Sequence, residues 1–324
     1  MSAPCWHWER ALAEWDYRLF YPLCARLPFA AGGALAAWKG RRDERHDRDW
    51  RSLSLRRPYV KAATRAALAE LCPQAGPEEL ERLVTERFVA AASEEWQAHL
   101  ILAGRAPDVT MTWEGMTPEE VKAAGPVLWM TVHYDSFMLG VVHFGLAGLP
   151  FNLMTSTVVE DERIPASIRR YYARKYAAVG QYFNGGQSLQ AETRLKSLYA
   201  GPRAGMATVM LVDAPALQKE EGVLLEFLGR RRYMAPGAVR MAEYGQLPMG
   251  AFVCVQEAPG RYRLVVHPPL RVEPAGFNSN LSLEPTGFNE ISQTLYTFLG
   301  EQILKRPGRW WAADLLPTMK CEGA

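Results

Sequence analysis

The sequence predicts an α/β fold, with a largely parallel central sheet flanked by helices and a helical N-terminal section ahead of it. Three observations carry this. From about Val109 onward, short apolar runs rich in β-branched residues alternate with segments of helical period, the pattern of a sheet wound with crossover helices. Before that point almost every segment has helical spacing. The 324-residue chain is also 48% hydrophobic and 22% charged, which supplies a sizeable core and excludes disorder. That length suits one large α/β domain or two smaller ones. The change of pattern divides the chain into a helical section, 1–108, and an α/β core, 109–324.

In the first section, Ser2–Asp16 reads as a helix. Leu19–Trp38 is apolar for about the length of a membrane span, but it contains Arg26, Pro22, Pro28 and a glycine pair. A charge and two prolines argue against a spanning helix, so a helical pair or an interfacial segment is expected. Trp6, Trp8, Trp15 and Tyr17 precede it. Aromatics beside basic residues suit a membrane interface, and equally a core seam. The mixed-sign run Lys39–Arg57 is expected to be a solvated helix face or loop. Pro58–Leu71 is an alanine-rich helix ended by Cys72-Pro73. Pro77-Glu78-Glu79 then put a proline and two acids in the first turn of a helix reaching Leu102.

In the second section, Val109–Gly115 alternates like a strand, and Thr117–Ala124 opens with the Thr, Pro and acids of a helix start. Strands are expected at Val127–Val132, Phe151–Thr155, Gln181–Asn184, Thr208–Val212, Val223–Phe227, Pro248–Val255 and Tyr262–Val266. Helices are expected at Asp135–Leu146, Ala166–Val179, Gln187–Tyr199, Ala235–Tyr244 and Asn289–Leu304. Gly185-Gly186 marks a turn. No internal repeat or low-complexity tract is visible.

Composition removes several function classes. A net charge of +2 does not suggest a nucleic-acid binder. The five cysteines are odd in number and widely spaced, without a CxxC pair, so neither a zinc site nor a disulfide framework is indicated and a reducing compartment fits. No glycine-rich dinucleotide motif or P-loop is present. Met1–Arg10 lacks the basic start of a cleavable signal peptide.

The informative stretch is Pro126–Gly140, PVLWMTVHYDSFMLG. A buried strand gives way at His133 to a helix that Asp135 or Ser136 would cap. Ligands of open α/β sheets bind in the crevice at the carboxyl ends of strands. An imidazole placed there can take a proton near neutral pH; a satisfied histidine at a strand end is the alternative. Ser136 lacks the Gly-x-Ser-x-Gly context of a nucleophile, so capping is its expected task.

Four pieces, in this order, resemble the bacterial lipid A late-acyltransferase family within the lysophospholipid acyltransferase superfamily. They are the strand–His133–helix unit after WEGM, the strand TVMLV ending at Asp213, the stretch Gly222–Val253, and the tail RPGRWWAADLLPTMK. The similarity runs from about Val109 to Lys320. It implies an acyltransferase whose histidine deprotonates the acceptor hydroxyl, with a carboxylate five positions on to orient the ring. Here that position is Met138. A methionine cannot hold a tautomer. Asp135 is the nearest carboxylate in sequence and is expected to substitute, unless the histidine works alone or the activity is lost or changed.

The resemblance also places Asp213 in the acceptor or donor pocket. It implies no permanently bound cofactor and no metal, but a phosphopantetheine-linked acyl donor, either acyl carrier protein or coenzyme A. Arg230, Arg231 and Arg232 at a strand end are the expected anion site. Arg169, Arg170, Arg174 and Lys175 make a second basic stripe, suited to a carrier protein or to phospholipid headgroups. Ser136, Met138 and Arg169 join the arginine triplet as expected substrate contacts. Trp310 and Trp311 are expected to cover the site or dock the tail. The resulting expectation is transfer of an acyl group from a thioester to a hydroxyl or amine, with His133 as general base. A non-catalytic thioester-binding member and a thioester hydrolase are the alternatives. The weak Leu19–Trp38 segment points to a cytoplasmic protein, with a peripheral seat on the inner membrane face left open.

Overall fold

The computed structural model describes residues 6–190, 195–216, 218–272 and 287–323. Its strands are Thr110–Glu114 (β1), Leu128–Thr131 (β2), Phe151–Thr155 (β3), Ser188–Gln190 (β4), Ala207–Leu211 (β5), Val223–Phe227 (β6), Arg230–Met234 (β7), Met249–Ala258 (β8) and Arg261–Leu270 (β9). Seven form one sheet in the order β1-β9-β8-β2-β5-β3-β4, while β6 and β7 make a separate antiparallel ribbon. Every neighbouring pair in the large sheet is parallel except β8 and β9. The fold is the largely parallel α/β architecture that the sequence predicts.

β2 shows why its sequence is continuously apolar. Successive side chains of a strand point to opposite faces. Leu128 and Met130 enter one core, and Trp129 enters the other. Both faces are covered, so no position calls for a polar residue. On the first face lie helices Gly237–Gly245 and Phe288–Lys305, together with the C-terminal tail. On the second lies helix Phe137–Leu146, with nine of its ten residues buried. It approaches the sheet closely at Gly140, where a Cβ would stand 2.9 Å from Cys254 Cβ. Helix Pro77–Leu102 packs outside it and also against helix Ala166–Gly180.

Several local expectations are corrected. Gln181–Asn184 is a turn, with Asn184 at φ 52°, and the strand begins at Ser188 instead. The expected helix Gln187–Tyr199 therefore starts later, at Leu195, with 191–194 outside the described residues. Leu19–Trp38 breaks into two helices around Pro28, and among the described residues no helix is long and apolar enough to cross a membrane.

The charge run Lys39–Arg57 departs furthest from expectation. Lys39, Asp43, Asp47, Arg48 and Asp49 are all buried rather than solvated. Lys39 pairs with Asp43 and with Asp16 at 3.2 Å. Arg51 and Arg87 bridge Asp49, at 3.0 and 2.9 Å, to Asp314, at 2.8 and 3.3 Å. Buried charges persist only when paired and hydrogen-bonded. This network ties the helical section to the C-terminal tail, and Arg87 Nε also donates to the Trp311 carbonyl at 2.9 Å. Charge patterning in sequence cannot distinguish such a lattice from a solvated face, because its closing partners, Arg87 and Asp314, are remote.

Candidate active site

The turn after β2 is pinned from both sides. The His133 carbonyl accepts from the Trp311 amide at 3.1 Å. The Asp135 amide donates to Arg309 O and the Ser136 amide to Cys254 O, both at 3.0 Å. Asp135 adopts a left-handed conformation, φ 46°, which aspartate tolerates better than most residues. That reversal lets the chain pass from strand to helix and leaves the imidazole on the cavity side.

His133 has a carboxylate partner, and it comes from a different strand. Asp213, two residues past β5, accepts from the His133 amide through Oδ2 and faces Nδ1 through Oδ1, each at 2.8 Å. The Trp310 indole N–H donates to the same Oδ2 at 2.8 Å. Asp213 is fully buried. Burial works against its charge, but the imidazole beside it and the hydrogen bonds from His133 and Trp310 prevail and hold the carboxyl below its usual range. A carboxylate on Nδ1 fixes the tautomer with the proton there and leaves Nε2 as the basic nitrogen. Trp311 meets the imidazole edge-on, with ring centroids 4.5 Å apart.

The imidazole, 30% exposed as a side chain, opens on a cavity of about 260 Å³. Its walls are mainly apolar, including Phe137, Met138, Leu153, Leu211 and Trp311, with Lys175 set among them. A wider cleft of about 860 Å³ adjoins it, since Thr155, Ser156 and Tyr176 line both. Arg169 and Arg170 line the cleft. Among the described residues no group of three His, Cys, Asp or Glu is placed to hold a metal ion.

A model of the family "Bacterial lipid A biosynthesis acyltransferase" matches residues 130–313, more than half of the chain. The chain belongs to this family. It is an acyltransferase. No curated protein matches it. A solved structure with some likeness is the 1-acyl-sn-glycerophosphate (LPA) acyltransferase PlsC from Thermotoga maritima, at 13% identity and a TM-score of 0.32, over 74% of this chain and 85% of that one.

Within this family member, the sequence-predicted residues scatter. The place expected for Asp135 is filled by Asp213. The Asp135 carboxylate turns away from the imidazole, accepting from Ser136 Oγ at 3.0 Å and lying 3.6 Å from Arg309 Nη1. Burial pushes its carboxyl up, against the pull of Arg309. Ser136 is fully buried beside it and does not line the cavity. Met138 does line the cavity, an apolar wall where the resemblance expects an acid.

The arginine triplet is not a strand-end turn. It is part of β7, and its members are paired: Arg230 with Glu70 at 3.2 Å, Arg231 with Glu322 at 2.8 Å, and the buried Arg232 also with Glu70. None of the three lines the cavity or the cleft. The basic stripe divides as well. Arg169 and Arg170 face the cleft, but Lys175 is buried against Glu94. Glu94 and Lys175 escaped sequence reading as a pair because 81 residues separate them.

Proposed function

We propose that this acyltransferase moves an acyl group from a phosphopantetheine thioester, on acyl carrier protein or coenzyme A, to a hydroxyl or amine acceptor, with His133 as general base. The observation that carries the reading is the His133–Asp213 pair on the wall of an apolar cavity. Nε2 takes the acceptor proton as the acceptor oxygen or nitrogen bonds to the thioester carbon. The carbonyl electron pair moves onto oxygen. When it returns, the C–S bond breaks and the departing thiolate takes the proton from Nε2. Asp213 stays ionised and stabilises the imidazolium between the two transfers.

The apolar cavity suits the acyl chain. The adjoining cleft, with Arg169 and Arg170, suits the phosphate of the pantetheine arm or an acidic carrier at its edge. Trp8, Trp15, Leu19, Leu23 and Trp38 are exposed on the first helices, which supports a peripheral seat on a membrane surface. Flotation with phospholipid vesicles tests that seat; protein that stays at the bottom of the gradient speaks against it.

The Asp213 carboxylate on His133 supports a catalytic site over a binding protein. A thioester hydrolase would use the same pair on water. Intact mass spectrometry after mixing the protein with acyl-carrier or acyl-CoA thioesters and candidate acceptors separates the outcomes. Transfer gives an acylated acceptor, while hydrolysis gives free acid. His133→Ala should abolish either product without unfolding the chain, and a variant with wild-type turnover would sink the assignment.

A further inference from the structure

Lys175 has no part in the steps above, yet it occupies their cavity. It lies on helix Ala166–Gly180 and is 3% exposed. Among the described residues lining the cavity it is the sole lysine or arginine. Nζ donates to Glu94 Oε1 at 2.8 Å, its single hydrogen bond among the described residues. An ammonium has three donors. The rings of Phe137, Tyr171 and Tyr172 surround Nζ at 5.6, 5.9 and 5.7 Å. The Phe137 ring also lies 5.3 Å from the imidazole, so the ammonium and the base share a neighbour. Burial alone would lower the ammonium, but the Glu94 and Glu95 carboxylates outweigh it and raise it, while burial pushes Glu94 itself up to about 7 against the pull of Lys175.

Acyl transfer needs a donor where the carbonyl oxygen becomes an anion. The backbone amides of the His133 turn are engaged elsewhere. The amides of His133, Tyr134, Asp135 and Ser136 donate to Asp213, Val132, Arg309 and Cys254. The Arg230–Arg232 triplet does not line the cavity. We propose that Lys175 is the oxyanion-stabilising group of this site and that Glu94 is its positioning residue. The assignment rests on the acyl-transfer reading. As the acceptor bonds to the thioester carbon and the π pair shifts to oxygen, an Nζ–H donates to that oxygen without releasing its proton. The contact relaxes when the pair returns and the C–S bond breaks. A permanent anion gains little from a cation already paired with Glu94. A transient oxyanion gains a directed donor in a site of low dielectric. The first-turn amides of helix Phe137–Leu146 are the competing donors.

The test compares Lys175→Met with the double variant Glu94→Gln/Lys175→Met, measuring kcat, KM and thermal melts on the full chain. The single variant strands a buried carboxylate, whereas the double variant removes both charges. The expected result is a loss of about 10²–10³ in kcat for both, with little change in either KM. The double variant should regain most of the melting temperature. Wild-type kcat in either variant, or a loss confined to KM, overturns the proposal and leaves the helix amides as the oxyanion site. His133→Ala in the same assay keeps the two readings apart. If it is dead while Lys175→Met is fully active, only the Lys175 assignment fails. If it is active, the acyl-transfer reading fails.

Discussion

Two buried aspartates flank the turn that carries His133, and they differ in almost everything but burial. Asp213 accepts from two backbone or indole N–H groups and faces the imidazole, and these interactions hold its carboxyl low. Asp135 has one short side-chain partner, Ser136, with Arg309 at 3.6 Å, and burial drives its carboxyl up. Nearness in sequence favoured Asp135; geometry favours Asp213. A side chain at φ 46° on the outer edge of the turn is directed toward the tail, while the end of the neighbouring parallel strand delivers Asp213 to the cavity side. A carboxylate aligned on the base serves the chemistry. One that anchors a turn serves the fold.

The largest effect should come from Asp213→Asn. An amide cannot accept from three donors at once, and it loses the charge that stabilises the imidazolium. A drop in kcat approaching 10⁴-fold is expected, by analogy with the aspartate of the Ser-His-Asp template. Single-turnover acyl transfer, with circular dichroism alongside, reads it. A folded variant with near-normal kcat would erase the contrast between the two aspartates.

Arg309→Met should act mainly on stability. It removes the cation near Asp135 and its contact with Glu86 at 3.0 Å. Because Arg309 is largely shielded and Asp135 is buried, a loss of about 1–3 kcal/mol is expected in chemical denaturation. kcat measured well below the melting point should change only a few-fold. A larger fall in kcat than in stability would place the Asp135 side of the turn in the chemistry as well.

Asp135→Asn should do least. Asparagine tolerates the left-handed region and can still accept from Ser136. The sign of its pH dependence sharpens the comparison. With its folded value raised, Asp135 contributes stability that is fully present below the ordinary carboxyl value of about 3.9 and is lost as pH rises through the folded value. Removing it should therefore shift the melting temperature in the variant's favour as pH rises across that window. Asp213 has the opposite sign: its stability is present above the ordinary value and lost as pH falls through its depressed one. A melting difference that does not change with pH would mean that the two carboxylates are not separated in this way.

Much of the site was legible before any tertiary information. Val127–Val132 is too apolar and β-branched for anything but a strand covered on both faces, and the observed strand ends at Thr131, two residues before His133; Ser136 stands at the N-cap of the next helix without a side-chain capping bond. The spacing of elements likewise placed Asp213 just past a strand in the same sheet. These are local properties, set by side-chain period and by the few residues that can start a helix.

What the tertiary structure decided is which distant groups meet. Strand order brings β5 beside β2, and so Asp213 rather than Asp135 reaches the imidazole. Packing of Pro77–Leu102 on Ala166–Gly180 turns a lysine of the basic stripe into a buried cation on the wall of the cavity that His133 lines. The same long helix closes the Asp49–Arg51–Arg87–Asp314 lattice around a charge run that looked exposed. Local sequence carries periodicity and capping. The sign and partner of a buried charge depend on elements far apart in the chain, because only tertiary packing removes the water that would otherwise solvate it.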